Sequence, residues 1–472
     1  MFADGRGKLG AMARAGPATT REYLSVAARL ERLPVGRFHR RFITLVSLGG
    51  WFDLYDLFMV AYLGAALQTS HFLTLHQFSL LVAAGFLGMF LGTVLFGLAS
   101  DHIGRRSAFL IMLLMYSVFT LAGALAPTAE WLILLRFLAG VGIGAEIVVI
   151  DTYVTELVPS RVRGRFVAIT QVVGFTSVPA AAVFSRVLIP THFLLDGWRW
   201  VMVIGSTGAL LAWYFRLRLP ESPRWLAERG RAGEAERILA ELEAESRGAA
   251  VVPVARTVAP ALQSSSERLS VLSALAELWR PPYAKRTAML IIFQALQTVG
   301  FYGFSNWAPT YLLRRGMPLL SSLDYTLLIA LVAPLGPLLA TFTSDRLERK
   351  WTIAVTALLI GLFGLGFAFW RQPALIVLSG ALVTLCNNCF SANFHAYQSE
   401  LYPTRIRATG VGFTYSWSRL SAAFTSLLIG ALLVHGVGTV FALLAAAMVV
   451  VAVVILALGP RSNGVLLEEL SS

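Results

Sequence analysis

The sequence predicts an all-α membrane protein, with twelve transmembrane helices in two pseudo-symmetric six-helix bundles, and three observations carry that prediction. Of 472 residues, 57% are hydrophobic and only 14% charged, with a mean hydropathy of +0.69. That leaves too little polar surface for a water-soluble chain of this length. The apolar residues fall into long runs rather than an even spread. Finally, Ser100-Asp101-x3-Arg105-Arg106 returns 244 residues later as Ser344-Asp345-x3-Arg349-Lys350, and the segment Glu156 to Arg163 returns at the same offset as Glu400 to Arg407. Two polar cassettes repeating at one spacing between apolar runs mark two homologous membrane halves.

The runs at 42–66, 77–98, 107–126, 131–156, 166–190 and 198–216 make the first half, and those at 286–312, 324–342, 351–370, 373–396, 408–433 and 437–458 the second. At about 1.5 Å per helical residue such runs cross a hydrocarbon core of roughly 30 Å. Their continuity suits helices, which satisfy their own backbone groups in lipid, rather than the alternating strands of a barrel. Residues 1–41 form a basic N-terminal tail, 217–285 a central loop and 459–472 a C-terminal tail. Within the central loop, Arg224 to Arg247 alternates Glu and Arg with Leu and Ala at helical spacing, which predicts short amphipathic helices. Residues 248–268 lack periodicity and read as a flexible linker.

A net charge of +13 invites a nucleic-acid partner, but the basic residues sit in alternate short loops. That is the distribution expected of lysines and arginines on the cytoplasmic side of a membrane. Arg105, Arg106, Arg161, Arg163, Arg165, Arg346, Arg349, Lys350, Arg405 and Arg407 mark one face, against chiefly Arg314, Arg315 and Arg371 on the other. The pattern predicts a monomeric, multi-pass protein of the plasma or inner membrane with both termini cytoplasmic and no cleavable signal peptide. The N-terminal tail is expected to lie solvated near anionic headgroups. Cys386 and Cys389, the two cysteines, lie inside a predicted span with no second pair to complete a metal site, and read as small packing residues. Gly140, Gly142 and Gly144 follow no strand, so they predict close helix packing rather than a dinucleotide loop.

Chemistry concentrates where the repeat breaks. At the 244-residue offset Asp53 faces Gln297, Asp56 faces Gly300, Glu146 faces Phe390 and Arg419 faces Phe175. Asp53 and Asp56 stand mid-span at i and i+3, on one helix face. An ionised carboxylate there costs at least about 2.5 kcal/mol on insertion scales, so it needs a cavity, a partner or a proton. Span four supplies Arg136 and Glu146 as partners, and the long Arg136 side chain reaches toward Asp56. These four residues are the candidates for proton coupling, the alternative for the carboxylates and Arg136 being a permanent structural ion pair. Arg419 lies near mid-bilayer in span eleven, where a guanidinium needs an anionic partner and matches a carboxylate bidentately. That partner is a substrate carboxylate or, alternatively, Asp53 or Glu146 across the halves. Gln294, Gln297, Tyr302, Asn306 and Trp307 in the Pro- and Gly-interrupted span seven, with Asn387 and Asn388 in span ten, complete the expected substrate site. His395 is a further possible hydrogen-bonding group.

Gly97-x3-Asp101-x2-Gly104-Arg105-Arg106, in the turn between spans two and three, resembles the loop signature of the major facilitator superfamily, as does the Glu156/Arg163 cassette, and the resemblance covers nearly the whole chain. In the second copies, Asp345 and Arg349 keep their places, Glu348 stands where Gly104 stands, and Glu400, Arg405 and Arg407 repeat the later cassette. The resemblance implies a gating role for both sets. Pro-Glu-Ser-Pro-Arg-Trp-Leu at 220–226 resembles the sugar-porter and metabolite:proton-symporter branch, and so does the closing segment from Pro460, with Arg461 replacing the usual Glu. Trp51-Phe-Asp53-Leu-Tyr-Asp56 and Ser418-Arg419-Leu-Ser-Ala resemble segments of aromatic-acid:proton symporters. Gly144-Ala-Glu146 resembles the metabolite and nicotinate transporters, and Arg136 matches the span-four Arg of sugar porters. The paired Gln-Gln of sugar porters is not intact in span seven.

The combined expectation is a secondary active transporter, not an enzyme. It imports a small polar metabolite with a proton as coupling ion, without other cofactor or metal, and an aromatic or pyridine carboxylate fits best. The alternatives are a sugar or polyol porter, a drug or metabolite:proton exporter and, from another class, a non-transporting membrane receptor.

Overall fold

Apolar helices long enough to span a bilayer account for most of the chain, as the runs require. The computed structural model describes residues 26–245 and 271–461, apart from 145, 209–213, 215–217, 282, 344–346 and 403. Among the described residues, ten helices are long and apolar enough to cross a membrane. The other two spans are interrupted. Span four runs as Ala129–Ile143 and Glu146–Leu157, and span six begins as Gly197–Ser206. A two-residue strand pair, His192–Phe193 with Leu195–Asp196, makes the turn between spans five and six. The chain is thus all-α with twelve spans.

Local chemistry sets the span ends and breaks. Span one, Arg37–Thr69, is longer than its apolar run at both ends. Span two, Leu75–Ile103, opens on a capping box in which the Thr74 hydroxyl accepts from the Gln77 amide at 3.1 Å and the Gln77 side chain accepts from the Thr74 amide at 3.0 Å. Span seven breaks between Tyr283–Ser305 and Ala308–Arg314 because Pro309 has no N–H to donate. The Tyr311 hydroxyl donates to the Gly303 carbonyl at 2.7 Å, satisfying a group close to the break. Span eight breaks likewise beside Pro334, between Leu319–Ala330 and Leu335–Thr343, and the Asn388 amide donates to the Ala333 carbonyl at 3.0 Å.

The pairing of spans follows the sequence repeat. Spans one and five, two and four, three and four, and three and six pack in the first half; seven and eleven, eight and ten, nine and ten, and nine and twelve pack in the second. Between halves, span two meets eleven and span five meets eight, which is the relation a pseudo-two-fold axis imposes. Glycines permit the closest approach: a Cβ at Gly140 or Gly144 would strike the Gly85 or Met89 carbonyl of span two, as expected where helices associate by close van der Waals contact in lipid.

At the basic face, the central loop forms Pro223–Glu228, Ala232–Glu245 and Val271–Leu278. The expected linker at 248–268 lies outside the described residues. The solvated N-terminal tail needs correction at its C-terminal end: Val26–Arg32 is a helix docked on Ala232–Glu245. It buries Leu30, and Arg29 holds Glu243 at 2.9 Å and Glu236 at 2.6 Å. Two acidic partners seven residues apart on one helix, Glu236 and Glu243, outweigh hydration of a short basic segment.

The opposite face is closed between the halves. Phe78 packs edge-on against Trp307 with ring centroids 4.8 Å apart, Gln68 donates to Thr310 at 3.3 Å, and Arg186 of span five pairs with Asp324 of span eight. The two side chains of that ion pair keep 35% and 46% of their exposure, so solvent screening limits the pair to about 1 kcal/mol or less. Arg186→Glu should therefore open this face only a few-fold more often, and Arg186→Asp with Asp324→Arg should restore closure. Thiol labelling of a Ser79→Cys probe, which lies buried under Gly430, checks this; unchanged labelling in the single variant would exclude a latch role.

Candidate functional site

Spans one, three and four build a charge pair sealed inside the first half. Asp56 accepts from Arg136 Nη1 and from the Thr120 hydroxyl at 2.8 Å, and Arg136 Nη2 donates to the Asp56 carbonyl at 3.2 Å. Both charged side chains are buried, and Arg136 lies across Gly85 of span two, where a Cβ would come within 3.2 Å of its Nε. The sequence expectation of an Asp56–Arg136 partnership is met in this geometry. Its hydrogen bonds run to protein groups, which suits a fixed brace.

Asp53 is one helical turn away and differs in kind. It is 1% exposed, and its Oδ1 has no hydrogen-bond partner among the described residues. Asp56, Arg419 and Arg136 all act on it electrostatically. No ion pair within 4 Å joins it to Arg419. The nominal shared face at i and i+3 therefore divides: Asp56 turns into the bundle, Asp53 toward the second half.

Arg419 is 2% exposed. It donates from Nη1 to the Tyr302 hydroxyl at 2.6 Å and from Nη2 to the Tyr415 hydroxyl at 3.2 Å, while Nε has no partner among the described residues. Tyr415 precedes Arg419 by one helical turn, and Tyr302 of span seven packs on Phe86 of span two at 4.6 Å between centroids. Because each tyrosine oxygen accepts from the guanidinium, each hydroxyl hydrogen is left to donate elsewhere. No bond from either to a protein acceptor occurs among the described residues.

Tyr302 and Tyr415 line a small central cavity of about 60 Å³. Its wall comes from both halves: Leu54, Leu57 and Phe58 of span one, Gln171 and Phe175 of span five, Gln297, Phe301 and Tyr302 of span seven, Ser391, Phe394 and His395 of span ten, and Tyr415 and Ser418 of span eleven. Six of these thirteen are aromatic, so the cavity is a ring-lined chamber with a guanidinium directly behind two phenols.

The expected substrate residues separate accordingly. Gln297 and Tyr302 line the central cavity, and Arg419 backs it. Gln294 is fully buried, bonded to Gln398 at 3.0 Å and Gln297 at 3.2 Å. Asn387 and Asn388 line a second cavity with Tyr62, Phe304 and Thr326, and neither amide atom of Asn387 has a partner among the described residues. Asn306 is buried at the span-seven break, and Trp307 is packed against Phe78. Neither is among the residues lining the central cavity. Tyr415, Gln171 and Gln398 were not expected. An aromatic one turn before a buried arginine is the signal that finds Tyr415.

At the basic face, Arg105 donates to Glu156 at 3.0 Å and Arg349 to Glu400 at 2.5 Å, the same pair repeated at the 244-residue offset. Arg105 also holds the Ser100 carbonyl at 2.9 Å. Gly104 has φ +94°, and Glu221 fills the space a Cβ would need, accepting from the Arg106 amide at 3.0 Å. These pairs lie within one half each. The side chains of Asp101, Glu146, Arg163, Arg405 and Arg407, the surroundings of Gly97, and Asp345 altogether fall outside the described residues. Among the described residues, no group of three or more His, Cys, Asp or Glu is placed to hold a metal ion.

Residues 42–472 match the family model described as Sugar (and other) transporter. The chain belongs to that family. It is a multi-pass major facilitator transporter, not an enzyme. It is 34% identical over 447 residues to the putative metabolite transport protein YyaJ of Bacillus subtilis, covering 94% of this chain and 97% of the relative. It is 31% identical over 452 residues to the niacin transporter NiaP of Acinetobacter baylyi, covering 95% and 100%. Among solved structures, the partially occluded inward-open xylose transporter XylE of E. coli superposes with a TM-score of 0.74 at 20% identity, over 91% of this chain and 99% of that one. That last likeness establishes the fold.

Within this family fold the Asp56–Arg136 brace makes a stability prediction. Asp56→Asn leaves a buried guanidinium unpaired, which costs roughly 3–5 kcal/mol, and the detergent-solubilised protein should melt several degrees lower. Replacing both partners, as Asp56→Leu with Arg136→Met, should recover most of the loss. A double variant melting no higher than the single one would show that the pair is not the brace.

Proposed function

We propose that this transporter carries an aromatic or pyridine monocarboxylate inward together with a proton, the two binding next to one another at Arg419 and Asp53. The observation that carries the reading is the cavity wall: six aromatic side chains, two of them phenols whose oxygens accept from Arg419 and whose hydrogens are left to donate. A planar ring finds stacking surfaces, and a carboxylate finds two donors polarised by a cation. The niacin transporter among the relatives is named for a pyridine carboxylate, which agrees with this chemistry.

Coupling follows from charge. An ionised Asp53 and a substrate carboxylate compete for the field of one guanidinium and repel each other in a medium of low dielectric constant. A proton on Asp53 removes the repulsion, so proton and anion each raise the other's affinity by the same factor. In this reading the basic face is cytoplasmic, in line with the distribution of arginines, and both termini lie there in the plasma or inner membrane. Alternating access then moves the halves about the cavity. A sugar porter is less well supported, because Gln294 spends both ends of its amide on protein partners.

Proteoliposomes with an imposed proton gradient test this. Nicotinate or benzoate should accumulate against its gradient. Asp53→Asn should abolish accumulation while keeping counterflow exchange. Arg419→Gln should weaken carboxylate binding roughly ten- to hundred-fold, the worth of hydrogen bonds to a charged group. Gradient-driven accumulation that survives in Asp53→Asn would remove the coupling assignment, and unchanged carboxylate affinity in Arg419→Gln would remove the anion assignment.

A further inference from the structure

The central cavity is backed by a chain of amides that ends on a histidine. Gln297 Nε2 donates to Gln294 Oε1 at 3.2 Å, Gln294 Nε2 donates to Gln398 Oε1 at 3.0 Å, and Gln398 Nε2 lies 3.1 Å from His395 Nδ1. Gln294 and Gln398 are buried, whereas His395 is exposed on the cavity wall. With the amides in this orientation Nδ1 accepts from the Gln398 amide and the ring proton sits on Nε2. Each link in the series depends on the one before it, since turning one amide places two donors or two acceptors face to face. Reversing the chain requires all three amides to turn together.

We infer that His395, held in this tautomer by Gln398 and Gln294, is a specificity-determining residue that donates Nε2–H to a second acceptor on the substrate ring, a pyridine nitrogen or phenolic oxygen. The inference rests on the proposed aromatic-carboxylate site and deepens it. With the Tyr302 and Tyr415 hydroxyls also donating, this wall offers donors at three points. The His395 ring lies tilted against Tyr415, with ring centroids 5.5 Å apart, so the third donor is adjacent to the proposed carboxylate-binding pair. A ligand that carries only a carboxylate covers this wall without offering the third donor an acceptor. One that adds a ring acceptor satisfies it. A site built to hydrogen-bond a ligand atom rejects the analogue lacking it far more strongly than an apolar pocket distinguishes shapes. Gln398 and Gln294 are positioning residues: they touch no ligand and act through the tautomer.

Two measurements on the purified full-length protein decide it. Calorimetric binding of nicotinate and benzoate, ligands of nearly equal shape, should show nicotinate preferred by about tenfold or more. That ratio should fall toward one in His395→Phe. In Gln398→Met it should fall several-fold, with the benzoate affinity little changed. Separately, 15N spectra of imidazole-labelled protein, with His395 assigned by difference from His395→Phe among the seven histidines, should show a protonated Nε2 and an unprotonated Nδ1. In Gln398→Met this resonance pair should move toward a tautomer mixture, which a merely structural role would not produce. A proton on Nδ1 in the wild type, or an undiminished ratio in His395→Phe, overturns the inference alone. Failure of the wild type to bind either ligand overturns the aromatic-carboxylate reading, and this inference with it.

Discussion

An arginine buried at mid-membrane must be matched on its charge and on its N–H groups, or the helix that carries it will not stay there. Among the described residues Arg136 and Arg419 are the buried arginines, and the chain answers the demand in opposite ways. Arg136 receives a full negative charge and a backbone carbonyl, both from Asp56, within its own half. Arg419 receives only two neutral phenols and keeps its charge uncompensated at contact distance. The first arrangement fixes spans one, three and four as a unit. The second leaves a cation bonded to two neutral hydroxyls, with no ion pair within 4 Å among the described residues.

The duplicated cassettes at the basic face act on the same principle of bracing within a half. Arg105 ties the ends of spans two, three and four together through Ser100 and Glu156, and Arg349 repeats the bond to Glu400. Tyr153 and Tyr397, again 244 residues apart, each donate to a proline carbonyl just after the last span of their half, Pro220 and Pro460. The copies diverge in a correlated way. In the first half Gly104 makes room for Glu221; in the second, Glu348 stands at the glycine position with φ −61° and Arg461 stands where the glutamate was. Losing the glycine and losing the acid that needed its space are one event in structural terms. Lys350 bonds the Gly459 carbonyl at 2.6 Å instead.

Hydropathy and the repeat made the fold legible, because lipid imposes helices and a duplicated chain imposes matched pairings. Span twelve was legible to the residue, Val437–Leu458. Span one was not: its polar ends, with Arg37, Arg40 and Arg41 at one and Gln68 at the other, extend the helix past the apolar run. At the site, Asp56–Arg136 could be read from reach and charge, and Arg419 from its depth. The parts that could not be read depend on rotation about a helix axis. Asp53 and Asp56, three residues apart, look in different directions, and the Pro309 break turns Trp307 into packing. The amide chain through Gln294 and Gln398 joins spans seven and ten, and no spacing along one helix encodes a hydrogen bond to another. The docked helix Val26–Arg32 was hidden for a similar reason, since its partner Glu243 lies more than two hundred residues on.

Placing the unpaired carboxylate in one half and the unpaired guanidinium in the other has a mechanical consequence. Asp53 belongs to span one and Arg419 to span eleven, so the braces that make each half rigid leave their separation to the relative position of the halves. A rocking motion therefore changes the electrostatic interaction between them, while Asp56–Arg136 and the basic-face pairs are carried along unchanged. When the halves draw together around the cavity, an ionised Asp53 satisfies Arg419 and competes with an anion for it. When Asp53 is neutral, Arg419 needs the anion. Occupancy by neither leaves a buried cation uncompensated, and occupancy by both charges crowds two anions on one cation. Under the proposed coupling, the two low-energy loading states are empty with Asp53 ionised and loaded with Asp53 protonated, which are the two states a symporter must favour for its halves to move between faces.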